Sequence, residues 1–193
     1  MARPALEIRM QNVPIINLRW EFRDQRRMVD APDFGTQFEG VVKPFETPCF
    51  TWLGMPAAGM TLLIQRAILG LESYICGAVY ERLARVGTLE KHSGMVRNPF
   101  KLGGSGTADN YYNRLPGLVD ASFSLQIVSP DLWVDTNTFY RTVRNRLFHG
   151  EELADPCPDG VKDAFDLMAD VYSWIDSWCP PDEFLPGFGT SFE

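Results

Sequence analysis

Phe139-Tyr140-Arg141-Thr142-Val143-Arg144-Asn145-Arg146-Leu147-Phe148-His149-Gly150 gathers three arginines, an asparagine and one of only two histidines in the chain. Read as a helix, at roughly 100° per residue, Arg141, Asn145 and His149 drift only about 40° at each i+4 step and line one face. Tyr140, Val143 and Leu147 fall on a neighbouring face and supply an apolar stripe for a core. Gly150 offers the left-handed residue that commonly closes a helix. The spacing therefore predicts a helix that is anchored from beneath and presents a polar cluster along its edge.

The chemistry of that cluster is coherent. A histidine titrates near neutral pH and can give or take a proton. An arginine stays charged and matches phosphate oxygens with a planar fork of donors. An asparagine one turn before the histidine can orient it or the substrate. Together these groups could hold a phosphodiester, stabilise its developing charge and move protons without a metal. RNA cleavage by the neighbouring 2′-hydroxyl needs those functions.

Arg144-Asn145-x-x-x-His149 resembles the Arg-x(4–6)-His signature of the HEPN superfamily, with the polar residue that often follows the arginine. The resemblance covers the motif stretch and agrees in kind with the helices predicted around it. It implies a mainly α fold, a HEPN-like helical bundle. It also implies metal-independent endoribonuclease activity of the kind found in toxin–antitoxin and other defence systems, with no cofactor. RNA would be the substrate, and a homodimer through the motif helix would set both motifs in one cleft, with an antitoxin as a further partner. His149 would be general acid or base, and Arg144 would hold the scissile phosphate. Asn145 would orient His149 or the substrate, and Arg141 and Arg146 would contact RNA.

Two other readings stand beside it. A HEPN-like domain can be a non-catalytic module whose arginines hold a nucleotide, RNA or a partner's acid. Alternatively the arginines are structural, paired with Glu72, Glu151 or Glu152, and His149 merely caps a helix end. Position separates the readings. Convergence of Arg144 and His149 on an open cleft favours catalysis, and burial in salt bridges favours structure.

Composition sets outer bounds. The 193 residues suffice for one well-buried domain with extensions, or at most two small domains. Apolar content of 45% and charged content of 22% are those of a globular protein. A net charge of −7 argues against a broad electrostatic grip on nucleic acid and leaves room for a local basic cleft. Cys49, Cys76, Cys157 and Cys179 are scattered, without zinc-ligand spacing, and are read as reduced thiols in a cytoplasmic protein. No signal peptide is evident, and Gln65, Arg66, Glu72 and Glu81 interrupt the longest apolar run, so no membrane span is expected.

Along the chain, residues 1–50 read as an N-terminal extension. Alternation in Leu6-Glu7-Ile8-Arg9-Met10 and Leu18-Arg19-Trp20-Glu21-Phe22 predicts two short strands. An irregular arm rich in turn formers and aromatics follows. Its aromatics suit packing on the helical body, and with Arg19, Arg23, Arg26 and Arg27 they also suit stacking on single-stranded RNA.

Residues 51–180 read as the helical domain. Met60, Leu63, Ile64, Ala67, Ile68, Leu71, Ile75, Ala78, Val79 and Leu83 recur at helical spacing up to Gly87, with room for a break near Gly70 or Gly77. Glu72 and Glu81 on it are expected to be solvated. Leu102-Gly103-Gly104-Ser105-Gly106-Thr107 lacks the lysine of a phosphate loop and is expected to be a mobile linker. A helix from Asp109 is interrupted at Pro116-Gly117, and Asp131 or Asp135 is available to cap the motif helix. Val161 to Trp178 is a clear amphipathic helix, and residues 181–193 form a loosely held tail.

Overall fold

In the computed structural model, residues 15–32, 34, 54–151 and 158–181 are described, and every regular element among them is helical. The principal helices are α1 (Ile15–Val29), α2 (Gly54–Arg85) and α3 (Leu89–Arg97). They are followed by the short α4 (Thr107–Asp109) and α5 (Leu125–Val128), then α6 (Pro130–Phe139), α7 (Asn145–Phe148) and α8 (Pro158–Trp178). This is a mainly α body organised around α2.

The apolar period of α2 places Ile64, Ile68, Leu71, Ile75, Val79 and Leu83 in the core, each at 2% exposure or less. Burial of each such side chain contributes about 1.5–3 kcal/mol. The helix is unbroken at Gly70 and at Gly77. At Gly70 the absent side chain admits α8, whose Tyr172 hydroxyl lies 3.6 Å from where a Cβ would stand. The Gly59–Arg85 part of α2 is long and apolar enough to cross a membrane, with mean hydropathy 1.4, yet 61% of its apolar window is buried inside this fold. Tyr74 and Tyr172 pack at 5.0 Å, and Phe22 of α1 closes the cluster at 4.4 Å from Tyr172.

The Leu18–Phe22 run is not a strand but part of α1. Leu18, Phe22 and Val29 are buried while Trp20 is 54% exposed, a spacing that continues at helical period beyond the five residues in which alternation is visible. Leu6–Met10 and the arm of residues 35–53 lie outside the described residues, as does the tail from residue 182. α1 is tied to the body by Arg66 of α2, bidentate to Glu21 at 2.6 and 2.6 Å, and by Arg19 to Asp176 of α8 at 3.1 Å.

The glycine run is also not a free linker. Gly104 N–H donates to Asn110 Oδ1 at 2.8 Å, Ser105 N–H to Asp109 Oδ2 at 3.0 Å, and Arg114 Nη1 to the Leu102 carbonyl at 3.1 Å. A Cβ on Gly104 would sit 2.5 Å from Asn110 Oδ1 and 2.6 Å from Asp109 Oδ2, the two acceptors that hold the loop. Gly104→Ala is therefore expected to cost about 1–3 kcal/mol, read as a lower urea midpoint.

Burial alone would raise the Asp109 carboxyl, but Asn113, Ser105 N–H and Arg114 together hold it below the usual carboxylate range. A depressed folded-state value contributes stability above the unfolded pKa of about 3.9, lost as pH falls through the folded value. The acid limb of an unfolding titration should accordingly lie below about pH 4 and flatten in Asp109→Asn.

Candidate functional site

The motif stretch is the end of a longer helical run. α6 begins at Pro130 after Ser129, so Asp131 sits in its first turn rather than capping the motif. The run passes without interruption through a π turn, Tyr140–Arg144, into α7. A second π turn, Asn110–Arg114, follows α4. Isolated π turns inside helices are frequent at functional sites because the extra residue re-aims the side chains around it. Here the two turns meet: Tyr112 and Tyr140, fully or almost fully buried, pack edge-on at 5.2 Å and share a short hydroxyl–hydroxyl hydrogen bond. Burial pushes both phenols well above their ordinary values, so they stay neutral donors and acceptors.

Both turns face Glu72 of α2, which is buried rather than solvated. Arg144 Nε donates to Glu72 Oε1 at 2.9 Å and Nη2 to Oε2 at 3.2 Å, with side-chain exposures of only 12% and 7%. The guanidinium lies over the Phe148 ring, 4.4 Å from its centroid, and Nη1 reaches Asn145 Oδ1 at 3.4 Å. Burial pushes the Glu72 carboxyl up; Arg144 and the hydroxyls of Tyr140 and Tyr111 pull it back without offsetting that push. Burial disfavours charged Arg144, but the Glu72 carboxylate outweighs it and raises the guanidinium further, so Arg144 remains a cation. A guanidinium has five N–H donors. Among the described residues three are engaged, leaving one donor on each terminal nitrogen for a ligand such as a phosphate oxygen.

The other residues of the cluster are placed differently. His149 is exposed, past the last turn of α7, with Gly150 at φ +87° behind it. Gly150 N–H bonds the Leu147 carbonyl at 3.2 Å and Glu151 N–H the Arg146 carbonyl at 3.1 Å, the two bonds of a Schellman closure. Arg146 pairs with Glu151 at 2.7 Å on the surface, and Arg141 is exposed with no ion pair among the described residues. Arg144 and Asn145 are thus brought together, while the His149 side chain has no hydrogen bond to either. Two pairings of the structural reading, Arg144 with Glu72 and Arg146 with Glu151, are present; Glu152 lies outside the described residues.

A cleft of about 190 Å³ opens beside Glu72, walled by α2, the end of α3 and the Asn110–Arg114 π turn. Gln65 Nε2 of α2 holds the Leu147 carbonyl at 3.0 Å and fixes the motif end against the same helix. Leu62, Leu69 and Phe148 are exposed nearby on these two elements.

Comparison with protein-family models, with curated proteins and with solved structures finds no match to this chain. Glu72 and the three tyrosines were not singled out as site residues by the sequence. The available signal was an acid at core spacing, flanked by Ile68, Leu71 and Ile75, since a buried acid needs a buried partner.

Proposed function

We propose that the chain is a metal-independent endoribonuclease resembling the HEPN defence nucleases. The observation that carries the reading is Arg144: its Nε edge is fixed by Glu72, and its terminal edge keeps one donor on each nitrogen without a partner among the described residues, with exposed His149 five residues further on and exposed Arg141 and Arg146 on the same stretch. In this mechanism Arg144 holds the non-bridging oxygens of the scissile phosphate and offsets the charge that grows on them. The 2′-hydroxyl attacks phosphorus, the bond to the 5′-oxygen breaks, and His149 moves a proton at one of those two oxygens. The products are a 2′,3′-cyclic phosphate and a 5′-hydroxyl. Asn145 holds the Arg144 guanidinium, and Arg141 and Arg146 steady the strand. Glu72 acts through Arg144 and is a positioning residue.

A two-fold pairing across the motif helix would set His149 of one copy near Arg144 of the other. The exposed Leu62, Leu69 and Phe148 supply apolar area on that side. Cleavage of a mixed RNA pool in EDTA, with end-group analysis, tests this function. Cyclic-phosphate ends are the expected product, and an inert, folded protein would overturn the proposal. One observation favours a second reading. The deep burial of Arg144 against Glu72 suits a non-catalytic, HEPN-like binding module in which the pair only ties the motif helix to α2.

A further inference from the structure

We infer that the cleft beside Glu72 is a base subsite that takes one unpaired guanine of the RNA strand; the inference rests on the RNA reading above and names what the same site selects. The cleft, at about 190 Å³, is smaller than the roughly 300–1,000 Å³ of pockets for drug-sized ligands, and so suits a single ring system. Leu69 and Cys76 give it apolar walls, and Glu72, Ser73, Arg97 and Tyr111 supply its polar groups. Cys76 belongs to the wall: burial pushes its thiol up to about 12, so it stays neutral.

The polar groups match one base. Arg97 is exposed, with no ion pair among the described residues, and its fork suits the O6 and N7 acceptors of guanine. The Tyr111 hydroxyl, on the cleft wall with Glu72, supplies an oxygen that can accept from the guanine N1–H and N2–H donors. Adenine would set its N6 donor against the arginine where guanine sets O6. Phe100, 55% exposed and edge-on to Tyr111 at 6.3 Å, offers a ring face to a base beside the cleft. Stacking tolerates any base, so selection falls to Arg97 and Tyr111.

Calorimetric titration of the full chain with the four ribonucleoside 3′-monophosphates tests the subsite. Guanosine 3′-monophosphate should bind at least about tenfold more tightly than the other three, and Arg97→Ala should erase the difference. Ser73→Trp, at an exposed α2 position on the cleft wall, should abolish binding with the thermal midpoint unchanged. Equal affinity for the four, no binding of any, or a preference that persists in Arg97→Ala overturns the subsite. The titration involves no cleavage, so a guanine preference in a protein inert on RNA would retain the subsite and remove the nuclease reading. RNA cleavage without guanine preference would do the reverse.

Discussion

Arg144→Ala is expected to lower the stability of the fold by about 3–5 kcal/mol, because it leaves the Glu72 carboxylate buried and unpaired. For a chain of this size that is a fall in Tm of roughly 6–20 °C. The loss should depend on pH with a defined sign. Burial holds the Glu72 carboxyl above its ordinary range even with Arg144 in place, and removing Arg144 takes away a counteracting influence. A raised folded-state value contributes stability below the unfolded pKa of about 4.3 that is lost as pH rises through the folded value. The deficit of Arg144→Ala should therefore be larger at pH 8 than at pH 5. Replacing the pair together, Arg144→Met with Glu72→Leu, removes both charges from the interior and should fall close to the parent stability, as buried pairs often do when exchanged for apolar side chains. A thermal melt of the two single variants and the double variant, at both pH values, checks the whole cycle.

The second large effect is catalytic. His149→Ala should reduce RNA cleavage by about 10²–10⁴-fold, the usual contribution of a positioned proton-transfer group. Because the imidazole is exposed and helix closure is made by backbone groups, stability should stay within about 0.5 kcal/mol of the parent. Single-turnover cleavage beside a thermal melt separates the two effects. A variant that melts like the parent and cleaves like the parent would remove His149 from the mechanism.

Much of the fold was legible in the sequence because α2 and α8 carry long helical periods with clear stops at Gly87 and Pro180. Leu18–Phe22 misled because a five-residue alternation also places Leu18 and Phe22 one helical turn apart; only Val29, further along, shows which period holds. The Gly104 loop was misread because its restraint comes from Asp109, Asn110 and Arg114, whose side chains reach back to it. Within the candidate site, type and spacing single out Arg144 and Asn145, which the structure places against Glu72 and against each other. Glu72 looks like a solvated acid in the sequence, since the two π turns that cover it leave no mark in hydrophobic periodicity. Tyr112 and Tyr140 look like ordinary core aromatics until their hydroxyls are seen to meet.

The central claim is that Arg144, held by Glu72, works on a phosphate rather than only joining two helices. The most direct test is cleavage of RNA in EDTA by Arg144→Met/Glu72→Leu beside the parent protein, each first shown to be folded. The account predicts parent cleavage with cyclic-phosphate ends and a loss of at least about 10²-fold in the folded double variant. Cleavage by that variant at the parent rate would contradict it and leave the pair a structural tie.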